Sequence, residues 1–139
     1  MSVDGRYRLR APGWKPEKSK DERNVLRVVK ADFALNFYEE KKIDFTATNL
    51  DQFMTHEIAL KKKYSQMLHG TVTSLTVGGR PARQAQFDVV IDDNRWREML
   101  TIIEFPQEYL EVSIVVKPSQ VDNKSMQVLV DTVEAVPTR

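Results

Sequence analysis

The sequence predicts an α+β sandwich, an antiparallel β-sheet of about six to seven strands packed with two main helices, in one domain spanning residues 1–139. Three observations predict it. β-branched, alternating segments are joined by turns too short for a crossover, so consecutive strands must pair antiparallel. A long amphipathic segment, Thr48 to Leu68, interrupts them in mid-chain. A second segment with an apolar face, Ser119 to Glu134, closes the chain.

The elements follow in order. Ala11-Pro12-Gly13-Trp14-Lys15-Pro16 is a turn-rich opening segment, and 17–23 is a charged loop. Asn24 to Lys30 is β-branched and reads as a strand. Phe33, Leu35 and Phe37 alternate with Ala34, Asn36 and Tyr38, which predicts a second strand with one buried face. Thr48 and Asn49 are both good N-caps for the helix that follows, and Gly70 supplies the residue that ends it. At roughly 100° per residue, Leu50, Phe53, Met54, Ile58, Leu60, Tyr64, Met67 and Leu68 fall on one half of that helix. Four strands come next. Thr71 to Val77 and Arg80 to Ile91 are joined by Gly78-Gly79, a hairpin signal. Asp92-Asp93-Asn94 makes the next turn, before strands at 95–105 and 109–116. In the last strand Leu110, Val112, Ile114 and Val116 are expected to face inward, and Tyr109, Glu111 and Ser113 to face solvent.

Composition narrows the function classes. With 41% hydrophobic and 29% charged residues the chain is of ordinary globular make-up, which excludes wholesale disorder. Cysteine is absent, so thiol catalysis, disulfides and thiolate metal sites are excluded. No apolar run reaches the ~18 residues of a transmembrane helix. The first residues show no apolar stretch of a signal peptide. The expected location is cytoplasmic for the chain as written, and periplasmic or envelope if a signal has been removed. Net charge is +1, and its sign alternates along the chain: +5, −4, +4 and −4 over residues 1–30, 31–60, 61–90 and 91–139. A nucleic-acid binder needs a dominant basic excess, so no nucleic-acid partner is expected.

No catalytic or metal constellation stands out, and no cofactor or metal is expected. His56 and His69 are the only histidines, thirteen residues apart, and zinc needs three or four convergent ligands. Asp92 and Asp93 are explained by a turn, and Gly78-Gly79-Arg80 precedes a strand where a phosphate loop precedes a helix. Lys62 and Lys63 read as a solvated face. Glu57 and Lys61 are different, because both fall inside the apolar half of the helix. The plain reading is an i, i+4 ion pair snorkelling at a helix edge; the sharper one is that this part of the face lines a groove. Trp14 caps one end of the core or anchors a partner, and Trp96, interleaved with Arg95 and Arg97, packs across strands or stacks on a base of single-stranded nucleic acid. The candidate partner-binding residues are therefore Trp14, Glu57, Lys61 and Trp96.

The Pro12-Gly13-Trp14 opening, the capped helix, the Gly79-Arg80-Pro81-Ala82 turn with its run Arg83-Gln84-Ala85-Gln86-Phe87, and the closing helix resemble one known group. That group is the PsbP/Mog superfamily, which includes photosystem PsbP proteins, the import factor Mog, DcrB-type lipoproteins and the Eag chaperones of secreted effectors. The resemblance covers nearly the whole chain. It implies an antiparallel sheet between helices and a non-catalytic protein that binds another protein. On the Eag-like branch the implied partner is an apolar segment of a secreted effector, and a second copy of the chain is also allowed. The function expected is a bacterial accessory or effector-chaperone module. The alternatives are an envelope lipoprotein domain, or a small-ligand carrier or small enzyme on a cone-like α+β sheet. The carrier needs a pocket with convergent polar groups.

Overall fold

The computed structural model describes the backbone of residues 2–3, 7–8, 15–16, 24–30, 33–41, 49–117 and 134–135, and the side chains of Tyr38 and residues 49–117. The elements in chain order are β1 (Ser2–Val3), β2 (Tyr7–Arg8), β3 (Lys15–Pro16), β4 (Asn24–Lys30), β5 (Phe33–Lys41), α1 (Leu50–Lys63), β6 (Met67–Val77), β7 (Arg80–Ile91), β8 (Asn94–Glu104), β9 (Glu108–Val116) and β10 (Glu134–Ala135). Among the described residues the main sheet runs β3-β4-β5-β9-β8-β7-β6, and β1, β2 and β10 form a small second sheet. Every pairing is antiparallel. The fold is α+β, as the turn chemistry dictates. Trp14 and the expected closing helix lie outside the described residues, apart from Glu134, which falls in β10.

The long meander is set by its turns. Gly78 and Gly79 have φ of 57° and 77°, which closes Val77 onto Arg80 in a two-residue hairpin. Asp92 and Asp93 take the same left-handed conformation, at 51° and 65°, and Asn94 Nδ2 donates to the Asp92 carbonyl at 3.2 Å. Between β8 and β9 the Phe105 N–H donates to the Glu108 carbonyl at 2.9 Å.

α1 starts where the sequence predicts: Asn49 is the N-cap, and its Oδ1 accepts from the Gln52 N–H at 2.9 Å. Its other end differs from expectation. The helix stops at Lys63, and Ser65, at φ 63°, takes the left-handed position expected of Gly70. Met67 and Leu68 pair in β6 with Asp88 and Phe87 and are 56% and 39% exposed. Residues 67–70 thus trade a helical turn for strand pairing. Gly70, at φ 82°, falls where the β6–β7 register shifts between His69 and Thr73, the signature of a bulge.

The core under α1 is Leu50, Phe53, Met54, Ala85, Phe87, Val89, Leu100, Ile102 and Tyr109. The other face of the sheet is buried as well: Met99, Ile103, Leu110, Val112, Ile114 and Val116 are all 1% exposed or less. This corrects the expectation for β9. Tyr109, Glu111 and Ser113 are 0%, 7% and 2% exposed, so both faces of that strand are covered. Alternation along a strand reports which residues share a face, and says nothing of whether that face meets water. No helix among the described residues is long and apolar enough to cross a membrane.

Candidate functional site: a charged cleft under one end of the helix

The first half of α1 is pressed onto the sheet. Leu50, Phe53 and Met54 are almost fully buried, and the Phe53 ring stacks on Tyr109 with centroids 4.3 Å apart. Burial and the neighbouring Glu104 carboxylate push the Tyr109 phenol above its usual range. Arg83 of β7 clamps the start of the helix, its Nε donating to Asp51 Oδ1 at 2.7 Å. That hydrogen bond, with the guanidinium charge, holds the Asp51 carboxyl below its ordinary 3.8.

One turn further on, the stripe that faces the sheet carries Glu57 and Lys61 among its apolar residues. A flat apolar contact cannot accommodate them without partners. The last two turns stand over a cleft of about 290 Å³, floored by β7, β8 and β9 and reached by Tyr38 of β5. The register explains which side chains point there. Leu100 lies opposite Ala85 and Ser113, Glu98 opposite Phe87 and Val115, and Glu111 opposite Tyr38. All are on the face that α1 covers.

The polar groups are joined unequally. Lys61 Nζ meets Glu98 Oε1 at 2.5 Å, lies 5.2 Å from the centre of the Phe87 ring, and donates to Gln66 Oε1 at 3.5 Å. Ser113 Oγ donates to the other oxygen of Glu98 at 2.5 Å. Glu98 is therefore held on both oxygens at 8% exposure. Glu111 also lines the cleft and is 7% exposed. Glu57 lines it too, is 9% exposed, and has no hydrogen bond or ion pair to another described group. The i, i+4 pair expected between Glu57 and Lys61 does not form, because the shorter reach for the ammonium is across to β8. The helix-edge reading is corrected accordingly: Lys61 is 17% exposed, turned in beneath the helix.

Of the four candidate residues, the structure brings two, Glu57 and Lys61, into one cleft. Trp96 is half-buried beside the core, packs against it, and lies outside the cleft lining. Its Nε1 is buried without a hydrogen-bond partner among the described residues. Glu98, Glu111, Ser113, Tyr38 and Gln66 were not singled out in the sequence. The available signal was Glu98 itself, a carboxylate beside the run Met99-Leu100-Thr101-Ile102-Ile103, where nothing in a twice-covered strand favours a charge. Among the described residues no group of three or more His, Cys, Asp or Glu is placed to hold a metal ion. His56 is on the exposed side of α1, and His69 is in β6, 3.4 Å from Asp88.

No family model matches the sequence, and no curated protein matches it. Solved structures do. The chain is similar to the cyanobacterial PsbP protein CyanoP from Synechocystis sp. PCC 6803, with a TM-score of 0.71 at 11% identity over 97% of this chain and 89% of that one. It is similar to LpqN of Mycobacterium tuberculosis, described as involved in cell envelope biogenesis, with a TM-score of 0.68 at 12% identity over 94% and 83%. It is also similar to PA94 of Pseudomonas aeruginosa, with a TM-score of 0.61 at 12% identity over 76% and 75%. The fold is PsbP-like. At such identities the likeness concerns architecture alone, and function must be argued from the site.

Proposed function

We propose that this chain is a non-catalytic protein-binding module on the PsbP-like fold, a bacterial accessory or effector-chaperone protein that takes its partner at the mouth of the α1 cleft. One observation carries the reading. Large apolar side chains are exposed where α1 ends, β6 begins and β7 finishes: Tyr64 at 68%, Met67 at 56%, Val90 at 62% and Ile91 at 45%. Tyr64 and Ile91 line the cleft itself, while Met67 and Val90 lie on the other side of the same strand ends. Exposed apolar residues at the rim of a concave site, continued around the adjoining strand ends, mark an interaction surface, and an aromatic at the rim suits an anchor. LpqN's link to envelope biogenesis favours an envelope location for the proposed module.

The test is site-specific photo-crosslinking in source cells. A benzophenone amino acid at Tyr64 is expected to give one discrete adduct, and the same probe at Gln107, in the turn at the opposite end of β8, none. Tyr64→Asp in a chain carrying the probe at Met67 should abolish the adduct. An adduct of twice the chain's mass identifies a second copy as the partner. Equal labelling from both probe sites, or none from Tyr64, removes this reading.

The cleft also favours a second reading, a small-ligand carrier. Convergent polar groups over an apolar floor are what such a pocket requires. An equilibrium dialysis screen of the apo protein against cell extract, read by mass spectrometry, would show one retained metabolite that Leu100→Trp excludes.

A further inference from the structure

We propose that the cleft receives an organic cation on an apolar stem, a lysine or arginine side chain carried by the partner; this rests on the protein-binding reading above. The charge count is the starting point. Glu57, Glu98 and Glu111 line the cleft, and among the described residues Lys61 is the one cationic side chain lining it. That cation is committed, because Lys61 and Ser113 together satisfy both oxygens of Glu98. Glu57 is left over. It is 9% exposed, lines the cleft and has no partner among the described residues. The Glu57 carboxylate opens into the cleft without a hydrogen bond or counter-charge from a described residue, and a cation entering the cleft supplies both.

The other walls define what kind of cation fits. Leu60, Val89, Leu100 and Val115 are aliphatic, and Tyr64 stands at the rim. An apolar stem ending in a charged head matches that division of the surface. A bare metal ion does not, since the described carboxylates are not gathered into a metal-holding group. The volume, about 290 Å³, admits a linear alkylammonium group together with a few waters.

Hexylammonium chloride serves as the probe, with hexanol and hexanoate as its neutral and anionic counterparts. Backbone amide shifts of the whole protein are followed by NMR. Saturable shifts in α1 around residues 57–64 and in β8 around residue 100 are expected with the ammonium, at least tenfold weaker binding with hexanol, and no saturation with hexanoate. Glu57→Gln should weaken hexylammonium at least tenfold without lowering the melting temperature, because the Glu57 carboxylate makes no hydrogen bond or ion pair with a described residue and the amide keeps its shape. Lys61→Met frees Glu98, so this variant should bind the ammonium more tightly and regain melting temperature when it is added. Equal affinity for hexylammonium and hexanol, or for the wild type and Glu57→Gln, overturns the proposal. Crosslinking from Tyr64 separates the two readings. If saturating hexylammonium suppresses the adduct, the partner supplies the cation. An adduct undiminished by bound ammonium overturns that assignment and leaves the protein-binding reading standing. Ammonium binding with no adduct under any condition does the reverse: the cation site stands, its ligand is a free amine, and the protein-binding reading falls.

Discussion

Lys61 decides the stability of the cleft more than its position on the helix suggests. Its ammonium is the counter-charge of Glu98, a carboxylate 8% exposed on a central strand. Removing one partner of a buried pair leaves the other uncompensated, which typically costs about 3–5 kcal/mol. Water in the cleft and the Ser113 hydroxyl soften that, so Lys61→Met should destabilise by about 2–3 kcal/mol in urea unfolding. The double variant Lys61→Met, Glu98→Leu should recover most of the loss. A neutral single variant would show that the pair is solvated in solution. Trp96 gives a prediction of the opposite sign. Its buried N–H has no acceptor among the described residues, a defect of about 1–3 kcal/mol, whereas the ring itself packs on the core. Trp96→Phe keeps most of the packing and deletes the donor, so the melting temperature should hold or rise; a fall of several degrees would mean that water satisfies the indole. Asp51 supplies the pH dependence. Its carboxyl is held below 3.8 by Arg83, so the pair contributes stability above that value and loses it as pH falls through the lower folded-state midpoint. An NMR titration should find the Asp51 midpoint below 3.8 in the wild type and near it in Arg83→Gln.

At the scale of elements, the handover from α1 to β6 is where the chain departs most from its periodicity. Tyr64, Met67 and Leu68 satisfy the helical stripe, yet Met67 and Leu68 are in a strand, because pairing with Asp88 and Phe87 completes the β6–β7 hairpin. Short apolar runs of this kind fit either period, and only the partner strand arbitrates. The stop itself falls on Ser65, a residue with no side-chain reason to prefer φ 63°. Ser65→Gly should therefore stabilise the protein by about 0.5–1 kcal/mol, read as a higher urea midpoint at constant m-value. No change would place the strain elsewhere in the turn. The same contrast explains what was legible. Hairpin turns announce themselves through Gly78-Gly79 and Asp92-Asp93, and Asn49 announces the helix start, because those backbones need particular residues. Glu57 and Lys61 stood out as charges on an apolar stripe. Glu111 and Ser113 did not, since the polar alternation of β9 looks the same whether the face meets solvent or a helix with a gap beneath it, and Glu98 in β8 showed only as a lone charge beside an apolar run.

Across the whole molecule, the chain crosses from β5, in the interior of the sheet, to its far edge through α1, then returns strand by strand until β9 closes against β5. β9 consequently pairs on both sides, with Phe37 opposite Val112 on one and Thr101 opposite Val112 on the other, and both of its faces are buried. β6 has the converse position. It pairs only with β7 among the described residues, a bulge interrupts that pairing, and nearly all its side chains are exposed. Amide exchange reports the free energy of the smallest opening that frees each hydrogen bond, and a peripheral strand opens without unfolding the centre. Residues 109–116 should thus exchange only through global unfolding, whereas 67–73 should exchange on the order of 100-fold faster through local opening. The difference bears on function, since the fast segment carries Met67 and adjoins Tyr64 at the cleft mouth. A partner seated there should slow exchange in 64–70 and leave 109–116 unchanged. Uniform protection across β6 and β9 in the free protein would contradict this graded stability. Slowing confined to β9 on partner addition would move the binding surface away from the cleft.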